Sequence, residues 1–249
     1  MCPICHLGQK ISNLASLNSN QEIIKESYEY HYEQKKARRI EYKEQLKNLD
    51  SSELLLVMDF KANISLQQCA TELNNEYYAL PQRSIFCISA NFRYQNTVKQ
   101  VFFDFISNIL NHSTKFVGEC LKYMINSSIF KQISSGIKKI SIWVDNGPQH
   151  FRTYEMLGLC QDLSSSLGTK IDLNFFVPYH GKCQCDQHFS QLSRIYNYHC
   201  STNPNENCST NEAYISSIQK GYKNGSGILI NSDLEISQSR IKIWIKFAL

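Results

Sequence analysis

Apolar positions fall into three distinguishable patterns along this chain. The first is the short unbroken run. Leu54-Leu55-Leu56-Val57-Met58-Asp59-Phe60 and Ile140-Ser141-Ile142-Trp143-Val144-Asp145 are rich in branched and aromatic side chains, the mark of strands buried on both faces. Each carries a carboxylate at or near its end, and Asn146-Gly147-Pro148 stops the second abruptly. The second pattern is a mixed strand signal. Residues 84–92 and 98–105 have it, joined across a hairpin-like connection at 93–97, and residues 170–178 alternate before becoming continuously apolar. The region between Asp59 and Ser84, with Leu66, Cys69, Leu73 and Tyr77, is ambiguous and stays unassigned.

The third pattern is helical. From Thr114, read as an N-cap, Phe116, Val117, Cys120, Leu121 and Met124 follow at helical spacing until Ser134-Ser135-Gly136. A rougher stripe of Phe151, Tyr154, Leu157, Leu163 and Leu167 ends at Gly168. A clean one opens at Asp186 and places Phe189, Leu192, Ile195, Tyr196 and His199 on one face. Residues 21–49 contain no Gly or Pro and are mostly Glu, Lys, Gln and Arg, which predicts a long polar helix. The order strand, strand, strand, helix, strand, helix, strand, helix predicts an α/β fold with an antiparallel hairpin at its start.

These patterns divide the chain into a Cys-x-x-Cys segment and polar basic helix over 1–50, a core over 53–200, and a tail over 201–249. The tail holds a polar loop to Glu212, a short helix over 213–222, a turn, and two strand-like runs at 227–230 and 241–245. It stops at Phe247-Ala248-Leu249 with no closing feature, as a truncated copy would.

Composition changes this picture little. With 249 residues, 42% hydrophobic and 19% charged, the chain belongs with globular proteins. The net charge of +4 is compatible with a polyanionic partner without demanding one. No apolar run approaches membrane-span length and the N-terminus lacks a secretory pattern, so the expectation is no membrane, no secretion, and a nuclear address ahead of a cytoplasmic one. The ten cysteines are then expected to be reduced, and close pairs among them suggest metal before disulfide.

Cys2-Pro3-Ile4-Cys5 is half of a zinc site, with His31 the best distant third ligand and His6 the nearest. Cys2 to His6 also spells the haem-attachment pattern, set aside without an export signal. His180, Cys183, Cys185 and His188 invite a second zinc reading, although Cys-x-Cys is poor spacing for one. Lys35-Lys36-Ala37-Arg38-Arg39 suits phosphate or a nuclear address, or simply a solvated helix face. Asp59, Asp145 and Asp186 matter more. One strand-end Asp is an ordinary turn residue; two on adjacent parallel strands stand roughly 5 Å apart, close enough to share a divalent cation.

At this point the order of elements resembles a ribonuclease H-like nuclease core, and three local words narrow the resemblance. Met58-Asp59-Phe60-Lys61-Ala62-Asn63-Ile64-Ser65-Leu66, Asp145-Asn146-Gly147-Pro148-Gln149-His150-Phe151 and His180-Gly181-Lys182-Cys183-Gln184-Cys185-Asp186-Gln187-His188-Phe189 are similar to motifs of eukaryotic DDE/D-type DNA transposases and proteins derived from them. The early Cys-x-x-Cys, followed by a His and a basic helix with Arg39 and Tyr42, looks like the region preceding such cores. The resemblance spans about residues 1–200.

It implies a mixed sheet flanked by helices with a helical, zinc-binding N-terminal appendage. It also implies catalysis through Asp59, Asp145 and Asp186 holding Mg²⁺ or Mn²⁺. Many relatives carry Glu at the third position, and Glu155 and Asp172 are the other candidates for it. Two such ions about 3.5–4 Å apart activate the attacking oxygen and stabilise the leaving one. Lys61, His180, Lys182 and Arg194 become candidate phosphate contacts, each equally readable as a solvated surface residue. The expected partner is DNA, with self-association open. A domesticated or inactivated relative that binds nucleic acid without cutting it is the main alternative. A ribonuclease H-like hydrolase acting on RNA or repair intermediates is a further one, as is a metal-independent interaction domain.

Overall fold

In the computed structural model, described over residues 2–14, 17–66, 82–146, 150–178, 180–181, 183–223, 228–229 and 241–247, the chain forms a mixed α/β structure. A sheet of seven strands runs in the order β5-β4-β1-β2-β3-β7-β6. β1 (Glu53–Ser65), β2 (Gln82–Tyr94) and β3 (Thr97–Ser107) form an antiparallel meander. β4 (Lys139–Val144) and β5 (Lys170–Phe175) add in parallel on the β1 side; β7 (Ile241–Phe247) and β6 (Ile228–Leu229) add in parallel on the β3 side. β2 alone runs against the rest.

Among the described residues the helices are α1 (Pro3–Ile11), α2 (Ser19–Lys47), α3 (Thr114–Asn126), α4 (Ser128–Ile133), α5 (Tyr154–Leu167), α6 (Gln184–Thr202) and α7 (Asn211–Lys223). Period-two alternation in the strands gives each face of the sheet its own core. Leu54, Leu56, Met58, Ile142 and Val144 face α3, α4 and α5. Leu55, Val57 and Trp143 face the other way, under α2, α6 and α7. There the Trp143 indole donates to Gln45 Oε1 at 2.8 Å, and Arg93 donates to the Leu49 carbonyl at 2.6 Å, which docks the end of α2 on the sheet.

Several boundaries differ from the sequence expectation, each for a local reason. The hairpin turns in two residues rather than five: Gln95 and Asn96 have φ of 48° and 61°, the left-handed pair that suits a tight twisted hairpin. The α3 cap is Ser113, whose hydroxyl accepts from Phe116 N, while the Thr114 hydroxyl donates to the His150 carbonyl. That helix ends at Ser127, which recaps the chain into α4 before Ser134. In α5 the expected stripe holds only in part. Phe151 and Leu163 are buried and Leu167 packs against the core, but Tyr154 and Leu157 are exposed, and Met156 and Cys160 are buried in their stead. Gly168, at φ 60°, does end the helix. The stretch left unassigned in the sequence lies, from 67 to 81, outside the described residues.

The chain past residue 200 shares this architecture. Tyr214, Ile218 and Tyr222 of α7 pack into the same core as Phe189 and Leu192 of α6, and β7 pairs with β3. Among the described residues no helix is long and apolar enough to cross a membrane.

A candidate metal centre at the end of two parallel strands

β1 is thirteen residues long, so Asp59 lies near its middle rather than at its end. Its setting is nevertheless an edge. β4 accompanies β1 only as far as the Met58–Val144 pair, whereas β2 continues beyond Asp59. Extending that register by one residue sets Asp145 beside Asp59. Both have the parity of Val57 and Trp143, which points them to the face covered by α6.

Asp186 reaches the same place from α6. Its Oδ2 accepts from Cys183 N at 2.9 Å, closing the first turn of the helix. Oxygens of Asp59 and Asp186 and the sulfur of Cys183 all lie within 4.8 Å of one another. Burial, and then the charge of Asp186, push the Asp59 carboxyl up to about 7, with Asp145 adding to the effect. Like charges drawn together under partial burial are unfavourable unless a cation joins them. Asp145 is close by: a Cβ on Gly181 would stand 3.0 Å from its Oδ1. That oxygen and the neighbouring Asn146 Oδ1 are buried and have no hydrogen-bond partner.

In the Asp186 motif Cys183 and Cys185 stay in contact, but the two histidines part from them. Cys183 Sγ is 4.0 Å from Asp59 Oδ2, and its thiol is pushed far up by its contact with Cys185 and by burial. Cys185 Sγ contacts the Val57 and Cys87 carbonyls. His188 forms a buried pair with Asp104, Nε2 to Oδ2 2.6 Å, and stacks on Phe102. These residues therefore do not build the second zinc site that their spacing invited, because His188 turns to Asp104 and His180, ahead of the helix, turns to the N-terminal cluster.

His180 instead joins the N-terminus. One ligand atom from each of Cys2, Cys5, His31 and His180 lies within 4.8 Å of every other. Burial and then Lys35 push both imidazoles below their ordinary range. All the described cysteines are free thiols. His180 is thus turned toward donor atoms rather than toward a phosphate.

Of the other candidate phosphate contacts, Lys61 is engaged: its Nζ donates to Ser193 Oγ at 2.6 Å, and burial lowers its pKa. Arg194 is exposed on α6, and Lys182 lies outside the described residues, as do Gly147, Pro148 and Gln149. Asp172 on β5 pairs with Lys139 and Lys170. Glu155 sits in the first turn of α5, on the opposite side of the sheet from α6. Neither is grouped with Asp59. Sequence reading missed a groove of about 740 Å³ that reaches Asn146, the residue after Asp145, and is lined among others by Ile4, His31, Arg38, Arg152 and Phe176. Arg152 carries no motif, and it shares the lining of this groove with Arg38 from more than a hundred residues away.

The profile of a family described as a domain of unknown function, DUF8701, matches residues 39–247. No curated protein matches the chain. Among solved structures, one described as NurA bound to dAMP and manganese is 11% identical, with a TM-score of 0.19. The alignment covers 84% of this chain and 47% of that one, so the chain spans about half the length of that protein. A likeness at that score carries no argument about fold or function.

Proposed function

We propose that this chain, which belongs to the DUF8701 family, is a metal-dependent DNA-cleaving or strand-transferring domain of the transposase type, built on a ribonuclease H-like core with a zinc-binding N-terminal appendage. The observation that carries the reading is that Asp186 is grouped with Asp59, while Asp145, one residue beyond the last β1–β4 pair, adds its charge to the same carboxyl. The sheet order β5-β4-β1-β2-β3, with only β2 reversed, supports a ribonuclease H-like core.

The donor set fits a hard divalent ion such as Mg²⁺ or Mn²⁺: carboxylate oxygens, two buried acceptor oxygens without partners, and a carboxyl that burial and neighbouring charge hold up to about 7. Bound there, such ions would lower the pKa of an attacking hydroxyl and stabilise charge on phosphorus and on the leaving oxygen. Asp59, Asp145 and Asp186 would hold them. The α6 N-terminus keeps Asp186 in place through Cys183 N, and Gly181 permits the close approach of Asp145. Arg38 and Arg152 in the adjoining groove suit the phosphate backbone, which supplies affinity without reading sequence. The same site is compatible with nuclear action on DNA.

One observation favours the alternative of a transposase-derived protein that binds DNA without cutting it. Cys183 places a protonated thiol against Asp59, and sulfur is a poor ligand for magnesium. The deciding experiment incubates supercoiled and short duplex DNA with the full chain and Mg²⁺ or Mn²⁺, beside Asp145→Ala. Loss of several kcal/mol of charge stabilisation corresponds to a fall in cleavage of more than about a hundredfold. Equal cleavage by the two proteins would sink the catalytic assignment; equal DNA binding with no cleavage by either would favour the binder.

A further inference from the structure

The N-terminal cluster carries more than a half-site at Cys2 and Cys5. Pro3 opens α1, so Cys2 sits at the N-cap and Cys5 in the first turn, and both sulfurs reach the middle of α2 at His31. The fourth member comes from far along the chain. His180 Nε2 is 3.2 Å from Cys5 Sγ and 3.1 Å from His31 Nε2, and His31 Nε2 is 3.4 Å from Cys2 Sγ.

Hydrogen bonding does not account for this arrangement. An imidazole Nε2 has either one proton or one in-plane lone pair, so it serves one partner along its axis. Here each Nε2 faces two partners at once, another ring nitrogen and a sulfur. A single cation among the four atoms satisfies all of them. Tetrahedral zinc, at about 2.3 Å from sulfur and about 2.0–2.1 Å from nitrogen, sets its donors roughly 3.3–3.8 Å apart. The three observed separations lie close to those edges. Two thiols and two imidazoles form a closed structural set, which leaves no open position for a reacting group.

We propose that Cys2, Cys5, His31 and His180 bind one structural Zn²⁺, and that this ion ties the N-terminal helices to the loop leading into Asp186. The consequence for the carboxylate site is positional. Gly181, next to His180, lies against the Asp145 carboxylate, and the groove that reaches the next residue, Asn146, is lined by Ile4 and His31 of the appendage. A metal holding His180 therefore holds the wall of that site. The zinc proposal stands independently of whether the carboxylates cut DNA.

The test reads metal, not cleavage. The full chain, produced with zinc and dialysed, should contain about one Zn²⁺ per molecule. Replacement by Co²⁺ should give the strong visible bands of a tetrahedral site and thiolate charge transfer. His180→Ala should weaken metal binding by at least about tenfold. His180→Cys, which restores a fourth ligand, should recover binding with a shifted cobalt spectrum, and this rescue separates lost ligation from misfolding. On chelation, amide exchange should rise in α1 while β1 and β4 stay protected. A wild-type chain with no zinc and no cobalt–thiolate band would overturn the proposal. So would an unchanged spectrum in His180→Ala, which would remove His180 from the site. Asp145→Asn should keep its zinc, so failure of the nuclease reading and failure of this one are distinguishable.

Discussion

At the scale of single residues, Asp59 shows how position creates chemistry. An ordinary carboxyl sits near 3.8, and burial with Asp186 and Asp145 beside it raises this one to about 7. The folded protein therefore holds a proton that the unfolded chain has released. Stability from this group is fully present below about pH 4 and is lost as pH rises toward about 7. A divalent cation offsets the repulsion only once the carboxyl ionises. Mn²⁺ should accordingly raise Tm little in mildly acid buffer and substantially above neutrality, while Asp59→Asn should raise the metal-free Tm at alkaline pH and abolish the manganese effect. Calorimetry across that range checks it. A manganese shift independent of pH would separate Asp59 from the metal.

At the scale of elements, the site depends on how closely the chain before α6 approaches the end of β4. Gly181 is the contact. A methyl group there would stand 3.0 Å from Asp145 Oδ1, tighter than relaxed packing allows, so the carboxylate must turn aside. Gly181→Ala should weaken Mn²⁺ binding by roughly ten- to a hundredfold, as is usual when the support of a metal ligand is disturbed, without loss of secondary structure. Titration calorimetry beside circular dichroism measures both. The N-terminal pair of helices meets with similar intimacy: a Cβ on Gly8 would collide with the Tyr28 ring, which fixes α1 against α2 near Cys2 and Cys5.

At the scale of the whole molecule, the sheet separates two cores, and the one beneath α6 includes the chain beyond residue 200. Ile218 is fully buried there with Leu192 and Tyr196. Ile218→Ala should lower global stability by about 2–5 kcal/mol, the cost of a large-to-small change in a packed core. In a urea titration, tryptophan fluorescence and far-UV dichroism should shift together. If only the C-terminal region melted early, α7 would be a separate unit rather than part of this core.

What the sequence determined by itself is what short-range pattern encodes. Unbroken apolar runs marked β1 and β4, the helical stripe marked α6, and the carboxylates at 59, 145 and 186 were visible as unusual companions of those elements. Cys2, Cys5 and His31 were also visible as an incomplete ligand set. The tertiary structure decided what depends on register and on distant chain. Asp59 is an edge residue because β4 stops beside it, not because β1 does. Tyr154 and Leu157 turned to solvent because the face of α5 that packs into the core, through Met156, Cys160 and Leu163, is selected by its neighbours and not by apolarity alone. His180 left the phosphate candidates for Cys2, Cys5 and His31 because a ligand cluster is defined by convergence in space, and 149 residues separate it from His31.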